Sequence, residues 1–130
     1  EYRYKLILED RSINLWSYNL ETILAEKLQT ILSRGLLNTR MRDFYDINTL
    51  LSIYEQDIDA DILKKAFDAT CKKRNTENLK EEAPKIIASV SDDVQLHTLW
   101  KSYQKKYPYA TDISYEDIVE STQLLWSKIQ

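Results

Sequence analysis

Apolar residues recur at intervals of three and four from Leu20 to the end of the chain, and this spacing constrains the fold more than any other feature. At about 100° per residue it places the apolar side chains on one side of a helix. The 130 residues include one glycine and two prolines, well below the ordinary shares of about 7% and 5%. Few tight turns are therefore available, and we predict a mainly helical protein.

Capping and breaking residues divide residues 18–130 into about five to six helices, which we predict to form one helical domain. The first helix is predicted from Leu20 to Arg34, because Gly35 supplies the left-handed residue that commonly ends a helix. The second helix is predicted to follow the N-cap residues Asn38 and Thr39, and the third to open near Asp59. The fourth is predicted to cover 79–90 and the fifth to start at Ser91. The sixth is predicted to follow a capping box of Ser114 and Asp117.

The helical spacing also predicts which side chains face the core. In the third helix these are Ile62, Leu63, Ala66 and Phe67. In the fifth they are Leu96, Leu99, Trp100 and Tyr103, and in the sixth Ile118, Thr122, Leu125, Trp126 and Ile129.

The first 17 residues have the period of a strand instead. Tyr2, Tyr4, Leu6 and Leu8 fall on alternate positions, and the later run SINLW could pair back onto them. We predict a β-hairpin over residues 1–17. Because two strands alone are marginally stable in water, we expect this hairpin to be the edge of a sheet that is largely absent from this chain.

Charge and cysteine content exclude several classes of protein. The net charge of −3 gives no global positive field for nucleic acid or anionic lipid, so any polyanion contact must be local. A single Cys71 cannot form an internal disulfide, and with only His97 it offers no zinc set, so we expect a reducing, cytoplasmic location. No apolar run approaches the roughly 20 residues that span a bilayer, so we expect no membrane partner.

Two charged residues fall within apolar helix faces. Lys27 lies among apolar residues of the first helix, and Asp43 lies beside Ile47 and Leu50 in the second, with Asp46 at the edge of that face. An isolated buried charge would cost several kcal/mol. Two interpretations remain open at this point. Lys27 and Asp43 could form a buried structural pair, or they could line a cleft. In that cleft Lys27 would bind phosphate, and Asp43 would orient Lys27 or accept a proton.

The residues from Glu21 to Ile47 carry a family resemblance. The order A-E-K-L, R-G, N-T-R and R-D-x-Y-D within this block resembles the C-terminal half of the AbiEii/AbiGii-type nucleotidyltransferase toxins. These are the toxins of prokaryotic abortive-infection and type IV toxin–antitoxin operons. The later segment LWKSYQKKYPYATDISYEDI is similar to the tail of that family.

This resemblance implies a nucleotidyltransferase fold of the DNA polymerase β type that uses Mg²⁺ and a nucleoside triphosphate. By motif, Lys27 matches the family's catalytic, nucleotide-binding lysine and Asp43 matches its catalytic aspartate, with Asp46 as the alternative acid. The family's Gly-Ser motif and metal-binding D-x-D pair have no counterpart here, so no metal ligand is expected in this chain.

We therefore expect the C-terminal helical portion of a toxin that transfers a nucleotide to an acceptor, expected to be RNA, when joined to its N-terminal catalytic half. The chain alone is expected to be inactive, with an antitoxin as its functional partner. The alternative is a non-enzymatic helical module that binds the antitoxin or nucleic acid.

Three further charged segments have simpler explanations. The run from Asp57 to Asp61 contains D-x-D but is expected to cap a helix. Lys72, Lys73 and Arg74 suit the negative end of a helix dipole, or the rim of an RNA-binding surface. The segment from Lys101 to Tyr109 mixes lysines and tyrosines. It is expected to be a solvated helix face or a grip for a nucleic-acid backbone.

Overall fold

The computed structural model describes residues 20–38 and 40–130. Within these ranges the chain forms six α-helices and no β-strand, so the mainly helical prediction is confirmed. The helices are α1 (Leu20–Arg34), α2 (Met41–Tyr54), α3 (Ala60–Lys73), α4 (Leu79–Asp92), α5 (Val94–Lys106) and α6 (Tyr115–Ile129). Short 3₁₀ helices cover Gly35–Leu37, Glu55–Asp57 and Pro108–Ala110. The hairpin predicted for residues 1–17 lies outside the described residues.

Helices α1 and α6 lie at the centre of the packing. Helix α1 packs most extensively against α3 and also contacts α2, α4 and α6, while α6 packs most extensively against α2. Leu24, Leu28 and Phe67 are fully buried at these contacts, as are Ile118, Leu125 and Ile129 of α6. None of the helices in the described ranges is both long enough and apolar enough to cross a membrane.

Most predicted helix ends are confirmed, and local hydrogen bonds account for them. Gly35 has a φ of +51°, in the left-handed region that favours glycine, and it ends α1. Before α6, the Ser114 hydroxyl accepts a hydrogen bond from the Asp117 backbone N–H, and the Asp117 carboxylate accepts one from the Ser114 N–H. These two bonds form the predicted capping box.

Three local predictions are wrong. The fifth helix begins at Val94 rather than Ser91, because the Asp93 carboxylate caps it by accepting a hydrogen bond from the Leu96 N–H. Asn38 does not cap α2; Arg40 occupies that position, and Asn38 Oδ1 accepts from the Arg40 N–H at 2.8 Å. Ile62 is 41% exposed, because it lies to one side of the buried face that Leu63 and Phe67 define.

Helix α5 is held by polar contacts to the segment that follows it. The Trp100 indole N–H donates to the Ile113 carbonyl at 2.8 Å. The Gln104 amide donates to the same carbonyl at 2.6 Å and to that of Ala110 at 3.2 Å. Because α5 also contacts α2, its C-terminal end lies near the start of that helix, where the candidate site is found.

Candidate active site

The structure brings Lys27 of α1 into contact with both acids of α2. Its ammonium Nζ donates a hydrogen bond to Asp46 Oδ2 at 2.7 Å and lies 3.7 Å from Asp43 Oδ1. The Lys27 side chain is 25% exposed, whereas those of Asp43 and Asp46 are 5% and 7% exposed. The acids are therefore buried, whereas the Lys27 side chain is partly exposed. Asp46, which the sequence placed at the edge of the helix face, is the closer partner.

The helical geometry explains why these groups meet. Residues 43 and 46 are three positions apart, so their side chains leave the same side of α2. Helix α1 packs beside α2 across the short connection that begins at Gly35. A lysine can bury its methylene stem against apolar neighbours and extend its charged end beyond them. Lys27 can thus occupy an apolar face and still place its ammonium beside two carboxylates.

Two arginines complete the charged cluster. Arg42 Nε donates to Asp46 Oδ1 at 3.1 Å, and Arg40 Nε lies 3.7 Å from Asp43 Oδ2. Burial acts against the charge of Arg42, but the charge of Asp46 and its hydrogen bond outweigh this, so the pKa of the Arg42 guanidinium is raised. Three cations and two carboxylates leave the cluster with a local charge of about +1.

Arg40 and Arg42 belong to the N-T-R and R-D-x-Y-D motifs, but neither was predicted as a site residue. Their signal is the spacing in RMRDFYD, which places Arg40 three residues before Asp43 and Arg42 four residues before Asp46. Pairs at these intervals are neighbours on a helix surface.

The two carboxylates differ in how well they are satisfied. Asp46 accepts hydrogen bonds on both oxygens, from Lys27 and from Arg42. Asp43 Oδ2 is buried and makes no hydrogen bond among the described residues. A buried acceptor without a donor costs about 1–3 kcal/mol, so natural proteins seldom retain one without a reason. Asp43 therefore retains capacity to accept a proton or a hydrogen bond.

Neither carboxylate suits Mg²⁺. This ion requires near-octahedral oxygen ligands, and here lysine and arginine nitrogens already face both acids. Across residues 20–38 and 40–130, no three His, Cys, Asp or Glu side chains converge as a metal site would require.

Two of the other charged segments lie at the ends of α3. Asp59 caps α3 by accepting from the N–H groups of Asp61 and Ile62, as predicted for the D-x-D run. Lys72 and Lys73 lie in the last turn of α3, where their charges suit the helix dipole. Arg74 instead joins two elements, since its guanidinium donates to the Gln29 amide oxygen and to Thr30 Oγ1.

The lysine and tyrosine segment at the end of α5 lies beside the charged cluster. Its tyrosines form a group of rings in which Tyr103 and Tyr109 share a hydroxyl hydrogen bond of 2.7 Å. Tyr45 of α2 packs on Tyr109, with 4.7 Å between ring centroids. Burial, followed by the hydrogen bond with Tyr109, raises the pKa of Tyr103, so this hydroxyl stays neutral at ordinary pH.

One family comparison matches the chain. The family described as "Nucleotidyl transferase AbiEii toxin, Type IV TA system" matches residues 1–121. No curated protein and no solved structure matches significantly. The matched range includes Lys27, both acids, both arginines and the tyrosine group. The chain belongs to the AbiEii nucleotidyltransferase toxin family of type IV toxin–antitoxin systems.

Proposed function

We propose that the cluster around Lys27 is the part of a nucleotide-transfer site that this chain supplies. Family membership supports a nucleotidyltransferase-like toxin and implies an antitoxin as partner. The assignment of residues rests on the contacts and the exposure of Lys27. Two buried carboxylates fix its ammonium, yet a quarter of its side chain is exposed. A lysine that is fixed by carboxylates and partly exposed can contact an incoming phosphate without first losing conformational freedom.

In this proposal Lys27 contacts the phosphates of a nucleoside triphosphate. The acceptor oxygen bonds to the α-phosphate, the bond from that phosphate to the β-phosphate breaks, and pyrophosphate leaves. Phosphoryl and nucleotidyl transfer depend mainly on positioning and on stabilising negative charge that shifts between oxygens. Asp46 orients the ammonium through its 2.7 Å hydrogen bond, and Arg42 holds Asp46 from its other oxygen. Asp46 is thus a positioning residue, because it acts through Lys27.

Asp43 has the second role. Its Oδ2, which is buried and has no donor among the described residues, would accept the proton or the hydrogen bond of a hydroxyl group that attacks the nucleotide once the half-exposed Arg40 side chain beside it moves aside. Its other oxygen lies 3.7 Å from Lys27, so the acid and the cation would act on neighbouring atoms of the reactants. We propose that this hydroxyl belongs to an RNA acceptor.

Mg²⁺ would neutralise the triphosphate in such a reaction. Because the charged cluster does not fit this ion, we propose that its ligands belong to an N-terminal catalytic half. In that arrangement this chain contributes the C-terminal helical portion of the site.

The proposal is tested by replacing Lys27 in the complete toxin. We expect Lys27→Met to lower nucleotide transfer by about 10²-fold or more and to abolish toxicity, since it removes a preorganised charge. Lys80→Met is the matched control. It removes a lysine from an exposed ion pair with Asp68, at 3.2 Å, that lies outside the charged cluster.

Growth assays and incorporation of labelled nucleotide measure the effect, and urea unfolding shows whether each variant is folded. A stably folded Lys27→Met protein with full toxicity would contradict the assignment and favour a non-enzymatic interaction module.

A further inference from the structure

A cleft of about 360 Å³ opens beside the charged cluster, between the start of α2 and the end of α5. One side is formed by Arg40 and Arg42. The other is formed by one face of α5, where Ser102, Tyr103 and Lys106 are spaced at three and four positions, and by Tyr107 just beyond the helix. Two helices that are distant in sequence thus build a single concave surface.

The cleft is positively charged although the protein is not. Among the residues that the structure describes, its lining includes three cations and no acid, whereas the whole chain has a net charge of −3. The arginines are half-exposed while they face Asp43 and Asp46. Lys106 is exposed and has no carboxylate within 4.0 Å among the described residues. The net charge of the sequence allows only a local contact with a polyanion, and the lining of this cleft is locally positive.

Aromatic rings lie between the cations of the cleft. The Tyr103 and Tyr107 rings are 4.7 Å apart between centroids, and Lys106 Nζ lies 5.5 Å from the centre of the Tyr107 ring. A phosphate bound at Lys106 would therefore bring its own base within reach of Tyr107. Cations combined with stacking rings are the usual means by which proteins bind unpaired nucleic acid without reading its sequence.

We propose that this cleft binds an unpaired RNA strand, with phosphates at Arg40 and Lys106 and a base on Tyr107. The inference deepens the proposed function and rests on it, because it identifies where the acceptor would lie next to Asp43. A duplex keeps its bases stacked inside and cannot present one to the ring, so the cleft selects an unpaired segment. Cations on both helices suit the successive phosphates of a strand better than a single nucleotide.

The test is binding of a fluorescently labelled oligouridylate to the chain, followed by anisotropy at low salt and without nucleoside triphosphate. Lys106→Glu is compared with Lys101→Glu. Lys101 is exposed on the same helix, carries the same charge and does not line the cleft. We expect Lys106→Glu to weaken binding about ten-fold and Lys101→Glu less than about two-fold, because only the former reverses a direct phosphate contact.

Substitutions of Tyr107 distinguish the contribution of stacking to binding from that of charge. We expect Tyr107→Ala to weaken binding about five-fold or more, and Tyr107→Phe to bind like the native chain because it keeps the ring. Circular dichroism checks that each variant is folded, and the exposed Lys106 gives a test that does not depend on packing.

Equal weakening by Lys106→Glu and Lys101→Glu would overturn the proposal, since it would indicate diffuse attraction. Displacement by uridine monophosphate as effective, per nucleotide, as displacement by unlabelled oligouridylate would also overturn it. So would an absence of oligouridylate binding. Because no transfer reaction is needed, this result stands apart from the Lys27 experiment: a folded, toxic Lys27→Met protein would refute the proposed chemistry without affecting RNA binding.

Discussion

Asp43 and Asp46 are similarly buried but make different contacts. Asp46 links two helices, because one oxygen accepts from Lys27 of α1 while the other accepts from Arg42 of its own helix. Asp43 has more distant cation contacts, and within residues 20–38 and 40–130 its Oδ2 finds no hydrogen-bond donor. The structural and the catalytic interpretations of the Lys27 pairing thus apply to different acids, with Asp46 as the structural partner and Asp43 as the reactive one in our proposal.

This division predicts unequal costs for two similar substitutions. We expect Asp46→Ala to lower the free energy of unfolding by about 1–3 kcal/mol, because it removes two hydrogen bonds to charged groups. We expect Asp43→Ala to lower it by less than about 1 kcal/mol, because the lost side chain contains an unsatisfied buried oxygen. Urea unfolding of both variants measures the difference. A larger loss for Asp43→Ala would show that Asp43 is the structural partner.

Tyr115 makes stability depend on alkaline pH. Its hydroxyl donates a hydrogen bond to the Val90 carbonyl, and burial raises its pKa to about 12. In the unfolded chain a tyrosine has a pKa of about 10. The folded state thus holds the proton more tightly. This contribution to stability is complete below about pH 10 and is lost as the pH rises through about 12.

We expect the free energy of unfolding to fall between about pH 10 and pH 12, and to fall less steeply in Tyr115→Phe. Urea unfolding at several pH values measures the slope. Burial also raises the pKa values of Tyr103 and Cys71, so the variant should keep part of the pH dependence. An unchanged slope in Tyr115→Phe would show that Tyr115 does not account for this effect.

At the scale of the helices, caps fix where each element begins. Helix α6 has a complete capping box, and α3 and α5 each have an aspartate that accepts from the first-turn N–H groups. Among these, the box before α6 has the largest consequence for the fold, because α6 contacts α2, α3 and α4. Disorder in the first turn of α6 would therefore weaken the packing of most of the core.

We therefore expect Ser114→Ala to lower the free energy of unfolding by about 1 kcal/mol, and Ser114→Thr to lower it by less, since threonine can still accept from the Asp117 N–H. Ser127→Ala is the control within the same helix. Ser127 is exposed, and in the described part of the chain its hydroxyl bonds only to the Leu124 carbonyl, so we expect a change within about 0.5 kcal/mol. Urea unfolding compares the three variants. Equal losses for Ser114→Ala and Ser127→Ala would show that the box contributes little.

At the scale of the whole molecule, the core and the candidate site share α1. One side of this helix is buried through Leu24 and Leu28, and Lys27 lies beside them with its charged end directed to α2. Further along, the buried Gln29 accepts from Arg74 and donates to Thr76, which ties α1 to the turn after α3. Polar contacts on both sides thus fix the position of α1, and with it the position of Lys27.

The sequence by itself determined most of the helices, and it indicated that Lys27 and Asp43 either pair or line one cleft. Apolar spacing depends on the helical repeat, and Gly35 and Ser114 act on their immediate neighbours, so their effects can be predicted locally. Lys27 was visible because a charge within an apolar face must find a partner.

Only the tertiary structure decided which acid is closer to Lys27, because a rotation of α2 by less than one turn exchanges Asp43 and Asp46. It also decided that Ile62 is exposed, since the edge of a buried helix face depends on where the neighbouring helices pack against it. The cleft between Arg40 and Lys106 joins residues more than 60 positions apart. No local pattern encodes that contact, because it arises from the packing of α2 against α5.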